Sequence, residues 1–225
     1  MRSQIILNIE TSLGGCSVAL AKGEELLAQV VEAEKNKASE RLHNMIEEVC
    51  QMADISKKAL DAVAVCGGPG SYTGLRIGVS AAKGICYALE IPLIHIETFQ
   101  AMHAAVSVRG GIQSSVYIGL IDARRKDVFC SILDHEGGYI QKPEVLTIQE
   151  DTFNTYIHFE NGLFFGNAVE KLQQITQQTF PMYHLEAPLA EDMILLSSKK
   201  FVKSEWENLA YYEPEYYKGV YLMNR

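Results

Sequence analysis

Several features that mark particular protein classes are missing from this sequence. No apolar run approaches the ~18 residues of a membrane-spanning helix, so we expect a protein without contact to a membrane. The five cysteines lie far apart and form no C-x-x-C pair, which excludes a disulfide framework and a zinc ribbon. We expect reduced, buried thiols in a cytoplasmic protein. These cysteines are Cys16, Cys50, Cys66, Cys86 and Cys130.

Positively charged residues are also fewer than negatively charged ones. The chain has 20 Lys and Arg against 28 Asp and Glu, a formal net charge of -8. A protein that binds nucleic acid directly needs a basic face, so this balance argues against nucleic acid as the main direct ligand. The length of 225 residues and a hydrophobic content of 48% suit one large globular domain or two small ones.

Recognisable catalytic motifs are absent as well. The six histidines stand at positions 43, 95, 103, 135, 158 and 184 and show no zinc-ligand spacing. Ser71 has no evident base partner, so nothing indicates a hydrolase. We therefore predict no catalytic residue, no bound metal and no cofactor.

What the sequence does contain is a glycine-rich turn at 67–78, GGPGSYTGLRIG, between an apolar strand at 61–66 and a helix that reaches Leu89. It matches neither a Walker A loop nor a dinucleotide fingerprint, since Leu75-Arg76 follows Gly74 and the glycine spacing differs. Two roles stay open, a structural turn and direct ligand contact, and the structural role is favoured. The candidate residues are Gly68, Pro69, Gly70, Ser71, Tyr72, Thr73, Gly74 and Arg76.

A strand pattern occurs twice along the chain. Strands at 5–9, 16–21 and 26–31 form one three-strand meander, and strands at 116–121, 128–133 and 139–140 form a second. An acidic residue, Glu10 or Asp122, follows the first strand of each. The repeat predicts an α/β protein with two similar halves, divided into residues 1–108 and 109–225. Helices near the C-terminus are expected to cross back towards the first half.

Two helices in the first half are predicted at 38–53 and 74–90. The polar wedge of the second covers only about a third of its circumference, more apolar surface than one sheet shields. A second protein is the natural cover for the remainder. The residues predicted to bind it are Leu42, Met45, Ile46, Val49, Leu75, Val79, Ala82 and Cys86.

The turn at 67–78 resembles the signature of the TsaB (YeaZ) family. The segment at 6–20 resembles that family's opening strands, and residues 121–129 resemble a strand turn of its second domain. The resemblance implies the actin-like ATPase (ASKHA, RNase H-like) fold, with two duplicated subdomains that each contain a mixed sheet and flanking helices. The tyrosine-rich segment at 211–217 resembles the family's ending, and its aromatic rings are expected to pack onto the core.

The same resemblance implies a function. TsaB proteins are non-catalytic subunits in the synthesis of threonylcarbamoyladenosine at tRNA adenosine 37. They bind TsaD, or a second TsaB, through a helical bundle made by their first two helices. An ATPase, TsaE, docks at the TsaB–TsaD junction. Contact with tRNA would then be indirect, through the complex.

An alternative from another class is a stand-alone ATP-dependent phosphotransferase of the same superfamily. Members that use nucleotide place two acidic strand ends and a glycine turn around the phosphates, and here these positions are Glu10, Asp122 and Gly166. The second glycine of that turn is replaced by Ala168. The metal-binding H-x-x-x-H of TsaD-type relatives falls on Thr98 and Met102, neither suited to a hard cation. A vestigial cleft is therefore favoured over the phosphotransferase.

Overall fold

Two five-stranded mixed sheets of the same topology form the frame of the molecule. The computed structural model describes residues 3–152, 162–177 and 179–218. The elements of the first half are β1 (Ile5–Glu10), β2 (Cys16–Lys22), β3 (Glu25–Glu32), α1 (Ala38–Met52), β4 (Ala62–Cys66), α2 (Tyr72–Leu89) and β5 (Leu93–Ile96). Those that follow are α3 (Thr98–Ala104), β6 (Val116–Asp122), β7 (Asp127–Asp134), β8 (Tyr139–Thr147), β9 (Leu163–Gly166), α4 (Val169–Thr176), β10 (Met182–His184) and α5 (Ile194–Val202).

The strand orders show the duplication directly. The first sheet is ordered β3-β2-β1-β4-β5 and the second β8-β7-β6-β9-β10. In each, the first strand pairs antiparallel with its hairpin partner and parallel with the fourth strand of that half, β4 or β9. The predicted pair of meanders is confirmed. Strand β8 is longer than predicted and passes through Pro143, which this edge position tolerates because its open side forms no ladder bonds.

Helices cover both faces of the first sheet. Helices α1 and α2 pack on the face that carries Leu7 and Val63, while Ile6 and Ala64 on the opposite face pack against a cluster that includes Met193. Strands β1 and β4 are consequently buried along their whole length. The predicted ranges of the first two helices agree with α1 and α2 to within two residues.

The C-terminal part of the chain returns to the first sheet. Helix α5 packs on β1 and β5, and Gln4 Nε2 donates to Ser198 Oγ at 2.8 Å. Arg109 binds Asp192 through two hydrogen bonds, of 2.8 and 3.0 Å, which fixes the connection between the sheets to the short 3₁₀ helix Ala190–Met193. The division between residues 108 and 109 stays a prediction.

The burial of the thiols agrees with the expectation from composition. All five cysteines are buried, and the desolvation of Cys66 raises its thiol pKa to about 12. Among the residues that the structure describes, none of the helices combines the length and the apolar character needed to cross a membrane.

Candidate functional site

An open groove of about 660 Å³ lies between the outer sides of helices α1 and α2. Ile77, Ala81, Gly84, Ile85 and Ala88 of α2 line it at helical spacing and give it an apolar floor. Polar side chains stand along its border: His43, Lys57, Arg76 and Ser80. This combination of an apolar centre and a polar rim is typical of a protein-binding surface.

Gly84 lies on this surface and serves no packing role inside the chain. A Cβ built at Gly84 meets no atom within 4 Å. Gly74 and Gly78 differ, because a Cβ at either would clash with Thr11 on the turn after β1. Those two glycines are required for packing within the chain, whereas Gly84 leaves room for the close approach of another backbone.

The eight residues predicted to bind a partner lie mostly beneath the groove, and Leu42 lines it, so their role in binding stays a prediction. Every one of them is buried within the chain, and none is more than 4% exposed: Leu42 2%, Met45 0%, Ile46 3%, Val49 0%, Leu75 1%, Val79 4%, Ala82 0% and Cys86 0%. Helical periodicity shows which side chains share a face, but it does not show which face packs on the sheet. The flank with Leu75, Val79 and Cys86 covers the sheet, and Gly84 and Ala88 are left exposed.

The signature loop packs against the turn between β1 and β2. Ser71 N donates to the Ser12 carbonyl oxygen at 2.6 Å, and Thr11 Oγ1 donates to the Gly74 carbonyl at 2.9 Å. Ser71 is the N-cap of α2, where its Oγ accepts from Gly74 N at 3.3 Å. These contacts support the structural alternative for the loop.

The remaining loop residues surround a cis peptide bond and an aromatic contact. The bond is Gly68–Pro69, and Gly68 has φ +129°, a conformation that favours glycine. The Arg76 guanidinium lies 4.1 Å above the Tyr72 ring centroid, and its Nε donates to Tyr216 Oη at 3.0 Å. Tyr72 and Thr73 are exposed beside it. The tyrosine-rich C-terminal segment therefore packs partly onto this loop.

The three residues assigned to a nucleotide cleft have partners within the chain. Glu10 is buried and accepts hydrogen bonds from Ser12 N, at 2.6 Å, and from the Ser12 hydroxyl. Asp122 is exposed at the end of β6, where it forms an ion pair with Lys171. Gly166 has φ +117°, and a Cβ there would clash with the Leu120 carbonyl. Each residue thus has a role in local structure.

Comparison with known proteins matches residues 25–218 to the family model described as "TsaD: tRNA N6-adenosine threonylcarbamoyltransferase". The TsaB protein of Haemophilus influenzae, a "tRNA threonylcarbamoyladenosine biosynthesis protein", is 27% identical over 96% of this chain and 94% of its own. The YeaZ structure from Pseudomonas aeruginosa superposes with a TM-score of 0.82 over 95% of this chain and 99% of that chain, at 22% identity.

The chain belongs to the TsaB (YeaZ) family. The predicted actin-like fold is confirmed as well. A more distant neighbour of the same fold is the activator of the 2-hydroxyisocaproyl-CoA dehydratase from Clostridium difficile, solved with ADPNP. Its TM-score is 0.50 at 9% identity, over 91% of this chain and 99% of that chain, and this likeness concerns the fold alone.

The positions that match the metal-binding histidines of TsaD-type relatives are filled by core residues in this TsaB-family chain. Thr98 is fully buried with its Oγ1 3.4 Å from Cys66 Sγ, and Met102 is 0% exposed. His103 is also buried and forms an edge-to-face contact with Tyr117 at a centroid distance of 4.5 Å. His158 lies outside the described residues. Burial lowers the pKa of His95 to about 4.

Glu10 makes a testable contribution to stability in this TsaB-family fold. Burial raises the pKa of its carboxyl from 4.5 to about 7. Between these two pKa values the folded chain holds a proton that the unfolded chain releases. The contribution of Glu10 to the free energy of unfolding is therefore fully present below pH 4.5 and is lost as the pH rises through 7. The Glu10→Gln variant removes this ionisation and keeps an oxygen acceptor for Ser12. We expect it to be more stable than the wild type by about 3 kcal/mol at pH 8.

Urea denaturation of both proteins at pH 5 and pH 8 checks this expectation. At pH 5 the two free energies of unfolding should lie close together. The matched control is Glu24→Gln on the exposed turn between β2 and β3, which should show no gain at either pH. A Glu10→Gln variant that is less stable than the wild type at pH 8 would contradict the conclusion that the buried, ionised carboxylate destabilises the fold.

Proposed function

We propose that this chain is a non-catalytic subunit of the machinery that forms threonylcarbamoyladenosine at tRNA adenosine 37. Its role would be to bind TsaD through the exposed face of α1 and α2 and so to activate it. The observation that carries the proposal is the apolar groove with Gly84 at its floor, which the described residues of the chain leave uncovered. Helix pairs with small residues at their contact allow two such pairs to pack closely as a bundle.

The chemistry of the cleft supports a role without catalysis. Glu10 is enclosed by hydrogen bonds from Ser12, and Asp122 is paired with Lys171. The two positions where TsaD-type relatives bind metal carry Thr98 and Met102 inside the core. These contacts favour a supporting subunit over the alternative phosphotransferase. The net charge of -8 fits a protein that meets tRNA only through its partner.

Reconstitution tests the proposal. Unmodified tRNA is incubated with a threonylcarbamoyl donor and with TsaD of the same organism, with this chain, or with both, and the modified nucleoside is quantified by mass spectrometry. We expect no product from the chain alone and roughly a tenfold or larger increase over TsaD alone when both are present. Product made by the chain alone, or no increase on mixing, would contradict the proposal.

The same reagents distinguish the other expected partners. Size-exclusion chromatography with light scattering shows whether the isolated chain forms a homodimer and whether TsaD replaces one copy. Addition of TsaE to the TsaB–TsaD mixture tests its docking at the junction. Transfer of phosphate from Mg-ATP by the chain alone would favour the phosphotransferase. A cytoplasmic location, where tRNA is modified, stays part of the proposal.

A further inference from the structure

A histidine and two glutamates meet at the end of β5, beside Gly67 of the signature loop. His95 is on β5, Glu97 is the N-cap residue of α3, and Glu215 belongs to the C-terminal segment. A ring nitrogen of His95 and one carboxylate oxygen from each glutamate all lie within 4.8 Å of one another. The C-terminal segment is held here by a hydrogen bond from Glu215 N to the Gly67 carbonyl, at 2.8 Å.

The imidazole is buried with one nitrogen unused. His95 is 7% exposed, and its Nδ1 lies 2.6 Å from Tyr212 Oη. Its Nε2 has no hydrogen-bond partner among the described residues. Glu97 Oε2 is likewise buried, and the Tyr139 hydroxyl interacts with that carboxyl group. Buried polar atoms in folded proteins nearly always have a partner, so the unpaired Nε2 of His95 indicates a missing ligand.

The charges around the cluster indicate a cation. None of the ion pairs formed within residues 3–152, 162–177 and 179–218 includes Glu97 or Glu215. The nearby ammonium of Lys200 donates to the His95 carbonyl oxygen at 2.8 Å. Two carboxylates and a neutral imidazole would balance one divalent ion. A water molecule would satisfy the hydrogen bonds but would add no positive charge beside the two carboxylates, because the neighbouring Lys142 and Lys200 form no ion pair with Glu97.

We propose that His95, Glu97 and Glu215 bind one divalent transition-metal cation of the Zn²⁺ or Mn²⁺ type. One imidazole nitrogen with two carboxylate oxygens is a ligand set that suits these ions. The surrounding groups have the positions expected of supporting partners. With its proton on Nδ1, His95 donates to Tyr212 and presents the Nε2 lone pair, and the Tyr217 hydroxyl donates to Glu215 Oε2 at 2.6 Å. The ion would tie the C-terminal segment to β5 and the signature loop.

Titration of the full-length, EDTA-treated protein with Zn²⁺, followed by calorimetry, tests the site, and Mn²⁺ is titrated in parallel. We expect one ion per chain and a rise in Tm on binding. Glu97→Gln and Glu215→Gln should each weaken binding about tenfold or more, since each removes a charged ligand. Glu213→Gln, an exposed neighbour on the same segment, should bind as the wild type does.

A second histidine, His184, serves as the control for metal binding elsewhere on the surface. His184 lies on the surface 3.6 Å from Glu170 and 3.7 Å from Glu186, and it offers an alternative place for an added ion. His184→Ala should leave binding unchanged. Absence of binding to the wild type overturns the proposal, as does binding that is lost in His184→Ala or retained in Glu215→Gln. If Glu97→Gln fails to fold by circular dichroism, Glu215→Gln decides. The proposal that the chain binds TsaD does not depend on whether the metal binds.

Discussion

Replacement of Gly84 by arginine is expected to abolish the association of this chain with TsaD while the chain stays folded. The new side chain would occupy the floor of the groove between α1 and α2 and would place a charge in its apolar centre. We expect the affinity to fall about 100-fold or more, the size of effect seen at the centre of protein interfaces. Calorimetric titration of TsaD with the wild type and with the variant measures it.

The fold should tolerate Gly84→Arg because, beyond the adjacent backbone of α2, no atom of the described residues lies within 4 Å of the Cβ position. Arginine also has a higher helix propensity than glycine, worth roughly 0.5–1 kcal/mol inside a helix. The matched control is Tyr87→Arg, one turn away on α2, where the side chain is 80% exposed and lies outside the groove. Equal binding by Gly84→Arg and the wild type would show that the partner uses a different surface.

Much of the fold was predictable because its signals are local. Both meanders consist of short, mainly apolar strands between polar turns, and both end their first strand in an acidic residue, Glu10 or Asp122. Helix α2 begins after the N-cap Ser71 and ends at Glu90, where the backbone turns left-handed. Such signals depend on residues a few positions apart, so a single sequence contains them.

The exposed face of α2 was not predictable in the same way. The apolar flank at Leu75 and Val79 and the small-residue line at Gly84 and Ala88 are both compatible with burial on a sheet. Packing decides between them, because larger side chains bury more apolar area against the strands. The spacing of Ile77, Ala81, Ile85 and Ala88 was the available signal, and it becomes informative only when the sheet is in place.

The cluster around His95 shows a second limit of sequence reasoning. The spacing of histidines along the chain gives His95 no partner at a zinc-ligand distance. Its actual neighbours are Glu97, two residues away, and Glu215, which comes 120 residues later. The return of the C-terminal segment to the first sheet creates this contact. Long-range contacts of this kind have no periodic signal in one sequence.

Val79→Asp is expected to unfold the chain, in contrast to the same change at the next residue. Val79 is 4% exposed and belongs to the core cluster with Val63 and Leu93. A carboxylate there would lose its hydration without gaining a partner, and we expect a loss of stability of at least about 3 kcal/mol. Ser80 is exposed on the same helix, so Ser80→Asp should change stability by no more than about 0.5 kcal/mol.

Urea denaturation followed by circular dichroism separates these two variants. The result shows whether a loss of TsaD binding in Val79→Asp comes from unfolding or from a lost contact. If Val79→Asp is unfolded, its failure to bind TsaD reports on the core of α2 and not on a contact with the partner. If instead Val79→Asp keeps the stability of the wild type, the Val79 side chain faces solvent, and the helix presents to TsaD the flank opposite to the groove. Gly84→Arg would then bind normally, so the two substitutions together determine which face of α2 meets the partner.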